Sequence, residues 1–209
     1  MLTAMLLLAC TGAQTAPEAA PVATPVATAE PTTLPSGSRG GGATTVANPT
    51  EGAPASTDEI RGLLLAHHDE DLPDRATLEK HEGALESLAW LARNDDTLVV
   101  RERALLLLAQ WPSDPTASAV CAEVLASEAP AGARAAAATC LGNQALSTDE
   151  ALLKQVVTAL RDPDGRVGSA AALALAGVPA ARPELQAAST DTTLPADTQE
   201  AAARALRYR

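Results

Sequence analysis

A helical pattern that recurs at a nearly fixed interval constrains the fold of this chain more than any other feature. The clearest copy runs from Asp162 to Gly177, where Val167, Ala171, Ala172 and Leu175 are spaced as on one face of a helix. The Asp-Pro pair at the front of this segment predicts a helix start, and its final glycine predicts the helix end.

The same spacing appears three more times in the sequence. In each copy small or apolar residues stand four and five positions after a reference residue, and a Leu stands eight positions after it. The reference residues lie 33, 34 and 31 positions apart and are Val100, Ala133, Val167 and Thr198. A period of this length is typical of solenoids, whose helical hairpins bury their apolar faces against one another. We therefore predict an all-α fold, a short α-solenoid of about four helical hairpins plus an N-terminal helix. An irregular alanine-rich bundle is the alternative.

Start and stop residues give approximate bounds for the helices. A capping pattern at Ser56-Thr57-Asp58-Glu59 predicts a first helix that runs to about His68. We expect one long helix over 76–93 and its partner over 97–110. The later pairs are predicted at 115–127 with 131–141, at 148–161 with 163–176, and at 183–189 with 195–207. The repeat domain is thus assigned to residues 58–209.

Composition excludes several classes of function. Aromatic residues make up 1% of the chain, with no Phe, so a deep aromatic-lined ligand pocket is not expected. The formal net charge of −11 argues against a nucleic-acid partner and against adsorption to anionic lipid headgroups.

The N-terminus ends its apolar run in Leu7-Leu8-Ala9-Cys10, which resembles the lipobox of bacterial lipoproteins. The resemblance implies a signal peptide over 1–9 that is cut before Cys10, and a diacylglycerol on the Cys10 thiol. No Lys or Arg precedes the apolar run, which departs from the usual signal-peptide pattern. An apolar terminus with an incidental cysteine is the alternative.

Residues 10–57 are rich in Ala, Pro, Thr and Gly and show no helical or alternating pattern. Such a segment buries too little apolar area to offset its ordering entropy, so we predict a disordered tether. After a lipidated cysteine, a tether would hold the repeat domain away from a membrane.

Over residues 77–208 the pattern resembles HEAT-like repeats of bacterial proteins, in the form found in the phycobilisome-lyase-type family. That family favours Val-Arg at the reference pair. Val100-Arg101 keeps the pair and Ala133-Arg134 nearly does, whereas Val167-Gly168 and Thr198-Gln199 depart from it. The resemblance implies a protein-interaction fold, and some relatives attach or remove bilin chromophores.

Two cysteines fall on the two helices of one predicted hairpin. Cys121 and Cys140 lie at similar distances from the turn near Ala129, so a disulfide between them is geometrically possible. Two buried thiols that act as small hydrophobic groups are the alternative.

Catalytic signatures are absent from the sequence: it contains no nucleophile elbow, phosphate-binding loop or dinucleotide fingerprint. We predict no catalytic residue, no cofactor and no metal ligand. The run from His67 to Asp71 gathers imidazoles and carboxylates, but adjacent histidines on a helix diverge, and a solvated helix end is the favoured reading.

The remaining candidate is a surface, the concave side that the second helices of a HEAT-type solenoid would form. Positions two, three and six after each reference residue should face outward there, and they are small or apolar in the middle repeats. This surface would comprise Glu102, Arg103, Leu106, Ala136, Thr139, Ala170, Leu173 and Arg204. A groove for a peptide or helix and a merely alanine-rich surface are both consistent with it.

Together these features predict a non-enzymatic adaptor or scaffold at the bacterial cell envelope, on the outer membrane or periplasmic face in a Gram-negative host. It would bind an unidentified protein or peptide, reach the membrane only through its N-terminal lipid, and bind no nucleic acid. The alternatives are a soluble cytoplasmic HEAT-repeat scaffold and a lyase-type accessory enzyme that acts on a cofactor-bearing protein.

Overall fold

The computed structural model describes residues 52–67, 71–142, 146 and 148–208. Every regular element in these residues is helical, as predicted for an all-α fold. The helices are α1 (Thr57–Ala66), α2 (Arg75–Leu78), α3 (Ala84–Asn94), α4 (Leu98–Leu108), α5 (Pro115–Leu125), α6 (Ala131–Cys140), α7 (Glu150–Ala159), α8 (Gly165–Ala174), α9 (Arg182–Thr190) and α10 (Ala196–Ala205). A short 3₁₀ turn, Pro179–Ala181, leads into α9.

The helices stack as four hairpins in two layers. Helices α4, α6, α8 and α10 pack against one another in chain order and form what we call the second-helix layer. Helices α3, α5 and α7 pack in order on the other side, and each also packs on its hairpin partner. Helix α9 pairs with α10, and α1 covers α3 and α4 at the N-terminal end. The predicted solenoid architecture is confirmed.

The repeat pattern is the part of the sequence that this stacking buries. Val100, Ala133, Val167 and Thr198 are each the third residue of their helix, and all four are 0% exposed. The residues four positions later are also fully buried. The last repeat departs from the pattern because Ala203 is exposed, and α10 is the final helix of the second-helix layer.

The prediction of one long helix over residues 76–93 is wrong, because the segment forms two helices, α2 and α3. Gly83 has φ 68°, a left-handed conformation that a helix interior does not contain. Asp74 caps α2, since its carboxylate accepts a hydrogen bond from the Thr77 amide. Alanine, leucine and glutamate on both sides favour one helix, but Gly83 interrupts it.

Helix α8 begins two residues later than predicted. Asp164, not Asp162, is its N-cap and accepts a hydrogen bond from the Arg166 amide at 3.0 Å. The Asp162 carboxylate instead accepts hydrogen bonds from the Asp164 amide and, at 2.9 Å, from Arg134 of the preceding hairpin. The helix ends at Ala174, two residues before the predicted end, with Leu175 as its C-cap, and Gly177 at φ 79° lies in the connection that follows.

The predicted signal peptide, Cys10 and nearly all of the predicted tether lie outside the described residues. Within the described part of the chain, no helix has both the length and the apolar character needed to cross a bilayer.

Candidate functional site

A shallow groove of about 340 Å³ runs between α4 and α6. We call it the α4–α6 groove. Its lining comes from three helices of the second-helix layer: Glu102 and Leu106 of α4, Gly132, Ala135, Ala136 and Thr139 of α6, and Arg166 of α8. The site is therefore built on adjacent repeats and exists only because these helices pack side by side.

Small residues on α6 create the depression. Gly132 has no side chain, and the Glu102 carboxylate occupies the space above it, where a Cβ would collide with Oε1 of Glu102. Ala135 and Ala136 add only methyl groups to the floor, and Ala136 is 7% exposed. Thr139 is exposed, and its hydroxyl donates a hydrogen bond to the Ala135 carbonyl. The floor thus presents methyl groups and little hydrogen-bonding capacity of its own.

The charged groups at the edges of the groove have opposite signs. Arg166 donates hydrogen bonds from Nε and Nη2 to the two carboxylate oxygens of Asp164, at 3.0 and 2.9 Å. The hydrogen bonds from the Arg166 guanidinium, together with a smaller contribution from the hydrogen bond of the Arg166 amide, lower the pKa of Asp164 to about 2. Asp164 in turn raises the pKa of Arg166, and the negative charge of Glu102 adds a smaller contribution. Arg166 is thus held in place as a cation facing Glu102.

The structure brings together only part of the predicted concave surface. Glu102, Leu106, Ala136 and Thr139 line the groove. Arg103 instead donates a hydrogen bond to the Leu64 carbonyl of α1. The other three predicted residues, Ala170, Leu173 and Arg204, lie on α8 and α10 and are not part of the groove lining.

Ala135, which stands two positions after Ala133 and so at a predicted outward position, also lines the groove, whereas Gly132 and Arg166 were not predicted. Each of these two residues stands one position before the reference residue of its repeat. It therefore precedes the outward positions two and six after the reference by three and seven residues. Helical periodicity places those positions on the same face, so extending the pattern one turn toward the N-terminus would have found both residues.

A disulfide joins the helix that carries the groove floor to the outer layer. Cys121 of α5 and Cys140 of α6 are bonded, with their Cα atoms 6.2 Å apart. Both residues are buried, at 0% and 8% exposure. The other buried residues of α6 are alanines, which contribute little contact area. The disulfide therefore provides an attachment of α6 to α5 that does not depend on large apolar side chains.

Arg134 at the start of α6 connects two hairpins. Its Nη2 donates to Asp162 at 2.9 Å, its Nη1 donates to the Ala129 carbonyl, and both side chains of the ion pair are mostly buried. Arg134 therefore links α6 to the turn before α8.

Among the described residues, no group of three or more His, Cys, Asp and Glu side chains could hold a metal ion. His81 lies beside Glu59, with Nδ1 2.9 Å from Oε2. Most of the run from His67 to Asp71 lies outside the described residues. No protein-family model matches this chain, and no curated protein matches it.

Proposed function

We propose that this protein is a non-enzymatic adaptor that holds a protein or peptide segment in the α4–α6 groove while an N-terminal lipid keeps it at the bacterial cell envelope. The main support for the binding role is the α4–α6 groove, whose methyl-lined floor lies between the Glu102 carboxylate and the Arg166 guanidinium. A shallow, open surface of this kind suits an extended or helical segment better than a small molecule.

Rigidity supports the binding role. The groove floor belongs to α6, which the Cys121–Cys140 disulfide attaches to α5 and which the Arg134–Asp162 ion pair attaches to the next hairpin. A preorganised surface loses less conformational entropy when a partner binds, so a shallow groove on a rigid helix is a better docking surface than one on a loop.

Photo-cross-linking in cells tests the groove directly. A photoreactive amino acid at Thr139 should capture a specific partner, because this residue is exposed at the groove. Thr158 of α7 is the matched control: it is also an exposed helical threonine, and its hydroxyl also bonds to the carbonyl four residues earlier. Capture of one protein from Thr139 and not from Thr158 supports the proposal. Equal capture from both positions, or from neither, contradicts it.

A charge substitution gives an independent test. Thr139→Arg should abolish co-purification of that partner, since it places a long cation across the floor, whereas Thr158→Arg should leave co-purification unchanged. Unaltered co-purification with Thr139→Arg would place the binding surface elsewhere.

The proposed lipid anchoring at the cell envelope is based on Leu7-Leu8-Ala9-Cys10 and is tested separately. The intact mass of the protein purified from membranes of a native bacterial host should correspond to a chain that begins at a diacylglyceryl Cys10. The Cys10→Ser variant should lose both the added mass and the membrane fraction. An unmodified Cys10 in the full-length chain would remove this half of the proposal and leave the groove untouched.

A further inference from the structure

The arginines of the last hairpin differ from those in the rest of the described chain. Each earlier arginine lies against a carboxylate or donates to a backbone carbonyl; they are Arg61, Arg75, Arg93, Arg101, Arg103, Arg134, Arg161 and Arg166. Arg182, Arg204 and Arg207 are exposed and have no such partner within the described residues. Three guanidinium groups are therefore available at one end of a chain whose net charge is −11.

An apolar cavity of about 150 Å³ is lined in part by Arg182, and Arg207 stands in the chain between two of its other lining residues, Leu206 and Tyr208. We call it the C-terminal pocket. It lies between the turn after α8, helix α9 and the end of α10, and it is lined by Gly177, Val178, Pro179, Arg182, Leu185, Ala205, Leu206 and Tyr208. Tyr208 is 53% exposed, so a large aromatic ring stands partly in solvent at this pocket. An apolar cavity of this volume accommodates a group about the size of benzene.

Charge and shape together specify what would occupy this surface. A free arginine beside an apolar cavity complements a carboxylate that lies next to an apolar side chain. The volume of the cavity matches a single apolar side chain, which a peptide can insert and a flat bilayer surface does not present.

We propose that the C-terminal pocket is a docking site for an acidic peptide segment of a partner protein. One side chain of Leu or Phe size enters the cavity, and neighbouring carboxylates pair with Arg182 and Arg207. This site lies on α9 and α10 and is separate from the α4–α6 groove, so it does not depend on the function proposed above.

Fluorescence anisotropy with the full-length chain tests the proposal. The probe is a fluorescein-labelled acidic pentapeptide, Asp-Glu-Phe-Glu-Asp, and the paired probe has Ser in place of Phe. We expect saturable binding of the Phe peptide, at least fivefold weaker binding of the Ser peptide, and weaker binding of both as salt increases. Equal binding of the two peptides, or no saturable binding of either, would overturn the proposal.

Variants of exposed residues locate the site without endangering the fold. Arg182→Gln and Arg207→Gln should each weaken binding of the Phe peptide by about threefold to fivefold, and Tyr208→Ser should weaken it by a similar factor. Lys154→Gln removes the same charge from the exposed face of α7 and should change nothing. Unfolding midpoints within the error of the native value show that the fold is retained. Unchanged affinity in both arginine variants would refute the assignment.

Co-sedimentation with phosphatidylglycerol vesicles separates a peptide site from a lipid site. The full-length chain, made with Cys10→Ser so that no lipid is attached, should remain in the supernatant. Sedimentation that Arg182→Gln and Arg207→Gln abolish would assign the arginines to anionic lipid and overturn the peptide proposal.

Discussion

Removal of the Cys121–Cys140 disulfide should destabilise the repeat domain by about 3 kcal/mol. The bond closes a loop between residues 19 positions apart, and loop-closure entropy for this length amounts to about 3 kcal/mol at 25 °C. Because α6 otherwise contributes alanines to the core, little other packing compensates for the lost cross-link. With a urea m-value of about 2 kcal/mol per molar, the unfolding midpoint should fall by about 1.5 M.

The assay is urea unfolding followed by tryptophan fluorescence, since Trp111 is buried in the folded domain. All variants carry Cys10→Ser so that no third thiol interferes. Cys121→Ala, Cys140→Ala and the double variant should unfold within about 1 kcal/mol of one another, because the loss of either cysteine already removes the bond. Reductant should lower the midpoint of the parent to the same range and leave the variants unchanged.

Two outcomes would refute this reasoning. If the effects of the two single substitutions are small and add in the double variant, the cysteines act as independent hydrophobic groups. If the parent has the same midpoint with and without reductant after a cycle of unfolding, the cross-link contributes nothing to stability.

Three further perturbations follow from named contacts. Gly168→Ala should destabilise the domain by about 1–3 kcal/mol, because the new Cβ collides with the Thr198 side chain of α10. Gly62→Ala, where the new Cβ meets no atom within 4 Å, should be neutral or stabilising. Equal effects of the two substitutions in urea unfolding would contradict this. Asp162→Ala should lower the free energy of unfolding by about 2 kcal/mol, because it removes the carboxylate that pairs with the mostly buried Arg134. Glu79→Ala, which breaks the half-exposed pair with Arg75, should lower it by under about 0.5 kcal/mol. A similar decrease for both variants would show that burial of the pair is unimportant. The pKa of Asp164 is lowered from 3.8 to about 2, so its stabilising contribution is present above pH 4 and is lost as the pH falls from about 4 to 2. The thermal midpoint of Asp164→Asn should therefore depend less on pH in this window than that of the parent, and identical pH profiles would rule out the assignment.

Residues that every repeat must bury were predictable from sequence. A helical hairpin cannot cover its own apolar face, so burial recurs once per hairpin and appears as the spacing of Val100, Ala133, Val167 and Thr198. The all-α fold and the division into hairpins follow from that spacing alone. Local breaks were less predictable: Gly83 interrupts a segment whose other residues favour helix, and its positive φ became apparent only in the folded chain.

The binding surfaces depend on distances between helices, which a one-dimensional pattern does not contain. Positions that look equivalent in sequence differ in the fold: Leu106 lines a groove and Leu173 does not, because the space beside each helix depends on the side chains of its neighbour. The close approach of α10 to Gly168, the pairing of Arg134 with Asp162 and the position of the unpaired Arg182 at the C-terminal pocket also depend on these distances. Periodicity determines which face of a helix is buried, and only tertiary packing decides how closely two faces meet and which polar groups are left without a partner.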